Sequence, residues 1–238
     1  MEFRLEVPAD LHRNSPTVAV DGYEETGLFL IELATRRLGL DTLADSEVLD
    51  VGCGVRFAQT IANRRLAVKR YTGVEVHRPI VEFMARNLEP FDARFRFVHW
   101  DVRHDLFNRE SFRALKDEAS LPVDSTFDVV WLFSVFTHLD LADTRAMLRL
   151  LRKVVRPAGG LLFTAFVDPE LDGFEGRGRG HPLEMVYFGR RTMDRLLEET
   201  GWDLRAFHPA GARPFIQPCF VCRPGSGASH SSAEPREG

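Results

Sequence analysis

Through the middle of the chain, short apolar runs alternate with stretches of helical period. The runs at 47–51, 71–74, 95–99, 127–133 and 160–166 read as strands. Between them, 57–64, 79–88, 109–118 and 142–155 carry apolar residues at helical spacing, and Pro79 suits a first helical turn. Pro157 and the pair Gly159-Gly160 are expected to stop the last of these helices. Nearly continuous apolar strands alternating with helices predict a parallel sheet covered on both faces.

The two ends differ from this middle. Residues 24–38 read as a helix with Leu28, Ile31, Leu33 and Leu38 on one face, ended by Gly39. The residues before it, with Pro8, Pro16 and Gly22, show little period and read as an extended arm, 1–23. Near the C-terminus, 193–200 is a short amphipathic helix. The runs 202–207 and 215–222 then read as a hairpin, so one late strand should run antiparallel to the rest. Residues 223–238 have almost nothing to bury and are expected to be a disordered tail. The folded domain is therefore expected at 24–222, with a Gly-rich, charged insertion at 168–189.

Composition narrows the setting. A chain of 238 residues can bury a full core, and its net charge of −4 does not favour nucleic-acid binding. No apolar stretch reaches the length needed to span a bilayer, and the sequence MEFRLEVPAD lacks the apolar core of a signal peptide. Three cysteines suit a reducing cytoplasm better than a disulfide framework. Cys219 and Cys222 spell C-x-x-C, but an odd separation on a strand puts them on opposite faces.

The candidate chemistry lies where strands end. The first strand runs VLDVGCG, with Asp50 at its carboxyl end and Gly52 and Gly54 in the turn that opens a helix. Two glycines let backbone bend sharply and approach a ligand closely. The second strand ends YTGVEV with Glu75, placed to accept from ribose hydroxyls. The third ends FVHWDV with Asp101, placed to accept from an exocyclic amine. A nicotinamide dinucleotide fits less well, because Phe57 stands where that fingerprint has its third glycine. Each acid alone reads better as a helix N-cap, but three at successive strand ends favour a ligand.

With FDVVWLFSVFTHL and LLRKVVRPAGGLLFTAF following in order, the chain resembles the class I S-adenosylmethionine (SAM)-dependent methyltransferases over about residues 24–222. The resemblance implies a doubly wound, Rossmann-like α/β fold. Its seven-stranded sheet is mostly parallel, with one antiparallel strand from the C-terminal hairpin. It also implies SAM across the carboxyl ends of the strands. By motif match, Asp50, Gly52, Cys53 and Gly54 flank the methionine part, and Glu75 with Val76 holds the ribose. Asp101 and Val102 meet the adenine, the latter through its backbone, and Phe133 and Ser134 lie beside the reacting end. The family's loop usually has a glycine or small residue near 55–56; here Arg56 stands there, a candidate for the methionine carboxylate.

Acceptor chemistry is less constrained. His138, after the fourth strand, is the first candidate for a general base and His181 the second, the competing reading being a turn histidine. Tyr23 in the first helix, and Arg177, Arg179, Glu184 and Tyr187 in the insertion, are candidates to grip an acceptor. The two arginines would suit a carboxylate or phosphate. No metal cluster is evident. The reading is methyl transfer to the oxygen or nitrogen of a small molecule, without nucleic-acid or membrane partners. The alternatives are a macromolecular or glycan acceptor, and a non-catalytic partner protein. Oligomeric state is not legible.

Overall fold

The computed structural model describes residues 3–12, 22–211 and 217–225. Its main sheet contains β1 (Leu43–Val51), β2 (Val68–Glu75), β3 (Phe95–His99), β4 (Phe127–Leu132), β5 (Val155–Thr164), β9 (Trp202–His208) and β10 (Cys219–Pro224). The spatial order is β3-β2-β1-β4-β5-β10-β9. β1 to β5 pair in parallel, and β10 is antiparallel to both β5 and β9. The strand order reverses between β1 and β4. That places a ligand crevice outside their carboxyl ends.

Helices α1 (Tyr23–Arg37), α2 (Arg56–Asn63) and α3 (Arg78–Asn87) cover one face, and α4 (Leu141–Val154) and α5 (Arg190–Glu199) the other. The first core gathers Leu30, Ile61 and Met84 against Val48 and Trp131. The second gathers Leu148 and Leu196 against Val130 and Phe163. Alternation along β10 sends Cys219 to the first core and Cys222 to the second, so the C-x-x-C pair does lie on opposite faces. All three cysteines are free and buried, and burial pushes the Cys219 thiol up to about 11.

Four local expectations are corrected. Residues 109–118 hold only a 3-10 turn, Leu115–Asp117, instead of a helix. There, Asn108 Nδ2 donates to the carbonyl of Val102 and Ser111 Oγ to that of Asp101, at 2.9 and 3.0 Å. Ser111 Oγ also accepts from Arg113 N–H at 3.3 Å, and the Arg113 carbonyl accepts from Arg103 N–H at 2.7 Å. Local side-chain bonds of the first kind compete with a helical ladder, and the second takes its acceptor. Pro157 and the two glycines do not follow α4; they lie inside β5, which starts directly at Val155 with a bulge against β4. A Cβ at Gly159 would sit 2.9 Å from the Phe127 carbonyl, so glycine permits that approach. The insertion is an ordered sheet of β6 (Phe166–Asp168), β8 (Val186–Gly189) and β7 (Phe174–Gly176). Finally, β10 carries Arg223 and Pro224, which fell in the expected tail; Arg223 donates to the carbonyls of Leu38 and Ala158. Residues 226–238 and 212–216 lie outside the described residues, as do residues 1–2 and 13–21 of the N-terminal arm.

The described piece of that arm is pinned to α2. Leu5 N–H donates to Asn63 Oδ1 at 2.8 Å, and Asn63 Nδ2 donates back to the Leu5 carbonyl at 3.0 Å. At the opposite edge of the sheet, Asp128 accepts from Glu47 N–H and from Arg156, at 2.9 and 2.6 Å. That acid ties β1, β4 and β5 together, far from the crevice.

Candidate functional site

The carboxyl ends of the central strands open into a cavity of about 610 Å³. It is walled by the β1–α2 turn, the ends of β2 and β4, the loop after β3, the start of α1 and the turn before β8. Gly52 and Gly54 adopt φ of +71° and +52°, which L side chains rarely adopt. A Cβ on Gly52 would meet Val135 Cγ2 at 2.6 Å, whereas one on Gly54 would enter open space. Since Gly54 lines the cavity, that open space is room for a ligand beside bare backbone.

Glu75 is 4% exposed at the end of β2. Its Oε2 accepts from Gly54 N–H at 3.0 Å, and its Oε1 from Val76 and His77 N–H at 2.9 and 3.0 Å. The carboxylate thus binds the glycine turn to the second strand. Three of its roughly four acceptor positions are filled, which leaves one open.

Asp50 is 1% exposed beneath the turn and takes a hydrogen bond from the Tyr71 hydroxyl. Burial raises its pKa to about 7; the Tyr71 bond works against the rise, and the negative charge of Glu75 adds to it. Cys53 also lines the cavity, and burial pushes its thiol far above the ordinary value, which suits a wall residue and not a nucleophile.

Arg56 opens α2 in the place of a small residue. Its stem lies over Gly27 of α1, where a Cβ would come within 3.2 Å of Arg56 Cγ. Its guanidinium sits 5.0 Å from the centre of the Tyr23 ring, and its Nε is buried without a hydrogen-bond partner. Tyr23 and Arg56 both line the cavity at the glycine turn.

The third acid behaves differently. Asp101 is exposed and is not part of the cavity wall; it accepts from Asn108 Nδ2 at 3.2 Å. The Val102 amide donates to the Trp100 carbonyl at 2.9 Å, so Val102 offers the cavity its side chain instead of its N–H.

Beyond the glycine turn, Phe133 and Ser134 directly follow β4. Ser134 has φ +58°, strained for a residue with a Cβ. Its N–H donates to Thr164 Oγ1 at 2.8 Å, Thr164 Oγ1 donates to Gln217 Oε1 at 2.6 Å, and Gln217 Nε2 donates to Ser134 Oγ at 2.9 Å. Thr164 and Gln217 line the cavity and were not legible as site residues. Gln217 is separated from Ser134 by 83 positions, and no local pattern announces the contact.

His138 also lines the cavity, with Nδ1 2.9 Å from the Leu183 carbonyl. A carbonyl can only accept, so this bond puts the proton on Nδ1 and leaves Nε2 the basic nitrogen.

The remaining candidates lie elsewhere. His181 stands outside the cavity wall, where its Nδ1 accepts from Leu183 N–H at 3.2 Å and its Nε2 is 3.8 Å from Asp105. Arg177 pairs with Asp168 and Glu175, both at 2.6 Å, and stacks over Tyr187 at 4.4 Å. Tyr187 in turn stacks on Phe166, which does line the cavity. Arg179 is exposed and outside it. Arg177 therefore lies behind the wall, held by the insertion's own acids, and Arg179 stands outside the wall. Among the described residues, no group of three or more His, Cys, Asp or Glu could hold a metal ion.

The glycine turn, a buried acid on each of two strands and the open face at Gly54 fit a nucleoside joined to an amino acid. Comparison with known proteins gives a specific counterpart. Residues 49–162 match the family model of a methyltransferase domain. The fold is similar to that of magnesium protoporphyrin IX methyltransferase from Synechocystis PCC 6803 with bound SAH. The identity is 13% over 91% of this chain and 92% of that one, with a TM-score of 0.59. It is similar also to the glycopeptide N-methyltransferase MtfA (16%, 89% and 99%, TM-score 0.57). A third neighbour is the mitomycin 7-O-methyltransferase MmcR, at 17% over 91% of this chain and 60% of that one, TM-score 0.53. The domain match over residues 49–162 and the sheet order together give this chain a methyltransferase domain with the fold of the S-adenosylmethionine-dependent methyltransferases.

Proposed function

We propose that the chain transfers the methyl group of SAM to an oxygen or nitrogen of a small molecule. The observation that carries this is one continuous cavity. It runs from the glycine turn and Glu75, past Ser134 just after β4, to His138. When bound there, SAM supplies a methyl group already activated by a positive sulfur. The protein's work is then to hold the partners in line and to take a proton.

Glu75 holds the ribose through its remaining acceptor capacity. Asp50 and Arg56 flank the amino-acid end, the carboxyl for the ammonium and the guanidinium for the carboxylate. Val102 packs against the base, while Asp101 stays at the rim. The Ser134–Gln217–Thr164 ring fixes the floor beside the reacting end. His138 Nε2 accepts the proton that an acceptor hydroxyl or ammonium must lose. His181 and Arg177 have structural roles in this reading: the histidine caps its turn, and the arginine stiffens the small sheet.

A small-molecule acceptor suits a cavity of about 610 Å³ better than a macromolecular or glycan one, and the net charge of −4 gives nucleic acid no basic footprint. Among the described residues, no helix is long and apolar enough to cross a membrane. Three free, buried thiols suit a reducing compartment such as the cytoplasm. The test is formation of S-adenosylhomocysteine (SAH) from SAM with a panel of hydroxyl and amine acceptors. Acceptor-dependent SAH supports the reading. SAH binding without turnover on any acceptor favours the non-catalytic alternative.

A further inference from the structure

The acceptor end of the cavity has a distinct chemistry. Its wall is apolar and aromatic, with Phe107, Phe133 and Phe166 inside and Met185 at 39% exposure. The rings are fixed: Phe133 packs edge-on to Phe57 at 4.9 Å, Phe107 edge-on to His138 at 5.4 Å, and Phe166 stacks on Tyr187 at 5.0 Å. A preset set of ring faces with a polarizable methionine favours a flat apolar guest.

The charged groups on this wall are committed to the protein. Glu184 accepts from Gly180 N–H at 3.0 Å, and such backbone bonds hold its carboxyl below the ordinary range. Arg103 donates to Asp105 at 3.2 Å. The only cation on the cavity wall with an orphaned buried donor among the described residues is Arg56, beside the glycine turn at the other end. A charged acceptor would therefore find no buried, unpaired counter-charge at this end among the described residues, whereas a flat neutral ring finds matching apolar faces.

We infer that the acceptor is an uncharged aromatic hydroxyl or amine, held between Phe166, Phe133 and Met185 with its heteroatom towards Ser134 and His138. This rests on the methyl-transfer reading and narrows it. The insertion's arginines, which the sequence offered as anion grips, play no part in it.

The experiment uses the full chain saturated with SAH. It is titrated in a calorimeter with 2-naphthol and then with 6-hydroxy-2-naphthoate, the same ring carrying a carboxylate. Saturable 2-naphthol binding is expected, with the carboxylate analogue at least ~10-fold weaker. Met185→Asp should weaken 2-naphthol at least ~10-fold, and Met185→Leu should restore it. SAH affinity, unchanged in both variants, shows that they fold. Equal or tighter binding of the carboxylate analogue, no saturable 2-naphthol binding, or indifference to Met185→Asp would overturn the inference while leaving the cofactor reading intact. Failure of SAH itself to bind would overturn both.

Discussion

The Tyr71 hydroxyl donates a hydrogen bond to the Asp50 carboxyl beneath the glycine turn, where Asp50 is 1% exposed. Burial, opposed by this pairing, makes the acid at the cavity floor a titrating group. Its pKa stands at about 7 against an ordinary 3.8, because burial outweighs the hydroxyl's help to the charged form. The sign for stability follows. Between the two values the folded state holds a proton that the unfolded chain has lost, so this group's contribution falls as pH rises from about 4 to about 7. Each pH unit in that window costs about 1.4 kcal/mol. In urea melts of the ligand-free protein, Asp50→Asn should gain about 3 kcal/mol on wild type between about pH 5 and about pH 8. A pH-independent difference between the two proteins would refute the buried titration.

Tyr71→Phe probes the same pair from the other side. Without the hydroxyl, the charged carboxyl loses its donor and the pKa moves further up. If the ionised form serves the cofactor's ammonium, SAH affinity measured across pH should show its midpoint displaced to higher pH, by up to about one to two units. An unshifted midpoint would detach Tyr71 from cofactor binding.

Gly54→Ala separates space from fold. A left-handed residue with a Cβ costs about 1–2 kcal/mol, which a domain of this size survives. The added methyl would stand in the cavity, where nothing else lies within 4 Å. The variant should melt a few degrees lower and bind SAH at least ~10-fold more weakly. Loss of stability with full SAH affinity would place the cofactor elsewhere.

His138→Ala should lower turnover by about 10²–10⁴-fold on a hydroxyl acceptor. Nε2 is the basic nitrogen, and the Leu183 carbonyl fixes the ring. SAH affinity should stay within about two-fold, since the ring lies beyond the glycine turn. Matched loss of turnover and SAH affinity would make His138 a structural residue.

How much of this was readable beforehand depended on distance along the chain. The five parallel strands and the glycine turn are local patterns, and β3 matches its expected span of 95–99. The seven-stranded sheet with one antiparallel strand followed from the family resemblance. The failures came where remote contacts or short-range polar bonds decide. Residues 109–118 have helical spacing, yet Arg113 gives its N–H to the Ser111 side chain and its carbonyl to Arg103. Arg177 read as a free cation because Asp168 and Glu175 lie on either side of it only once β6 and β7 have folded onto β8. Asp101 read like Asp50 and Glu75, but the chain turns outward after Trp100 and leaves it at the rim. Gln217 gave no signal, since its role exists only where β10 inserts beside β5.

The central claim is that Glu75, bound to the Gly54, Val76 and His77 amides, fixes a cofactor at the glycine turn. Calorimetric titration of SAH into wild type and Glu75→Ala tests it most directly. Hydrogen bonds to a charged group contribute about 1.5–3 kcal/mol, so the variant should bind about 10–100-fold more weakly while the wild type binds tightly. Glu75→Gln, which keeps the side chain's length, should fall between the two. Wild-type protein that is folded and does not bind SAH, or a Glu75→Ala variant that binds it equally well, would contradict the account.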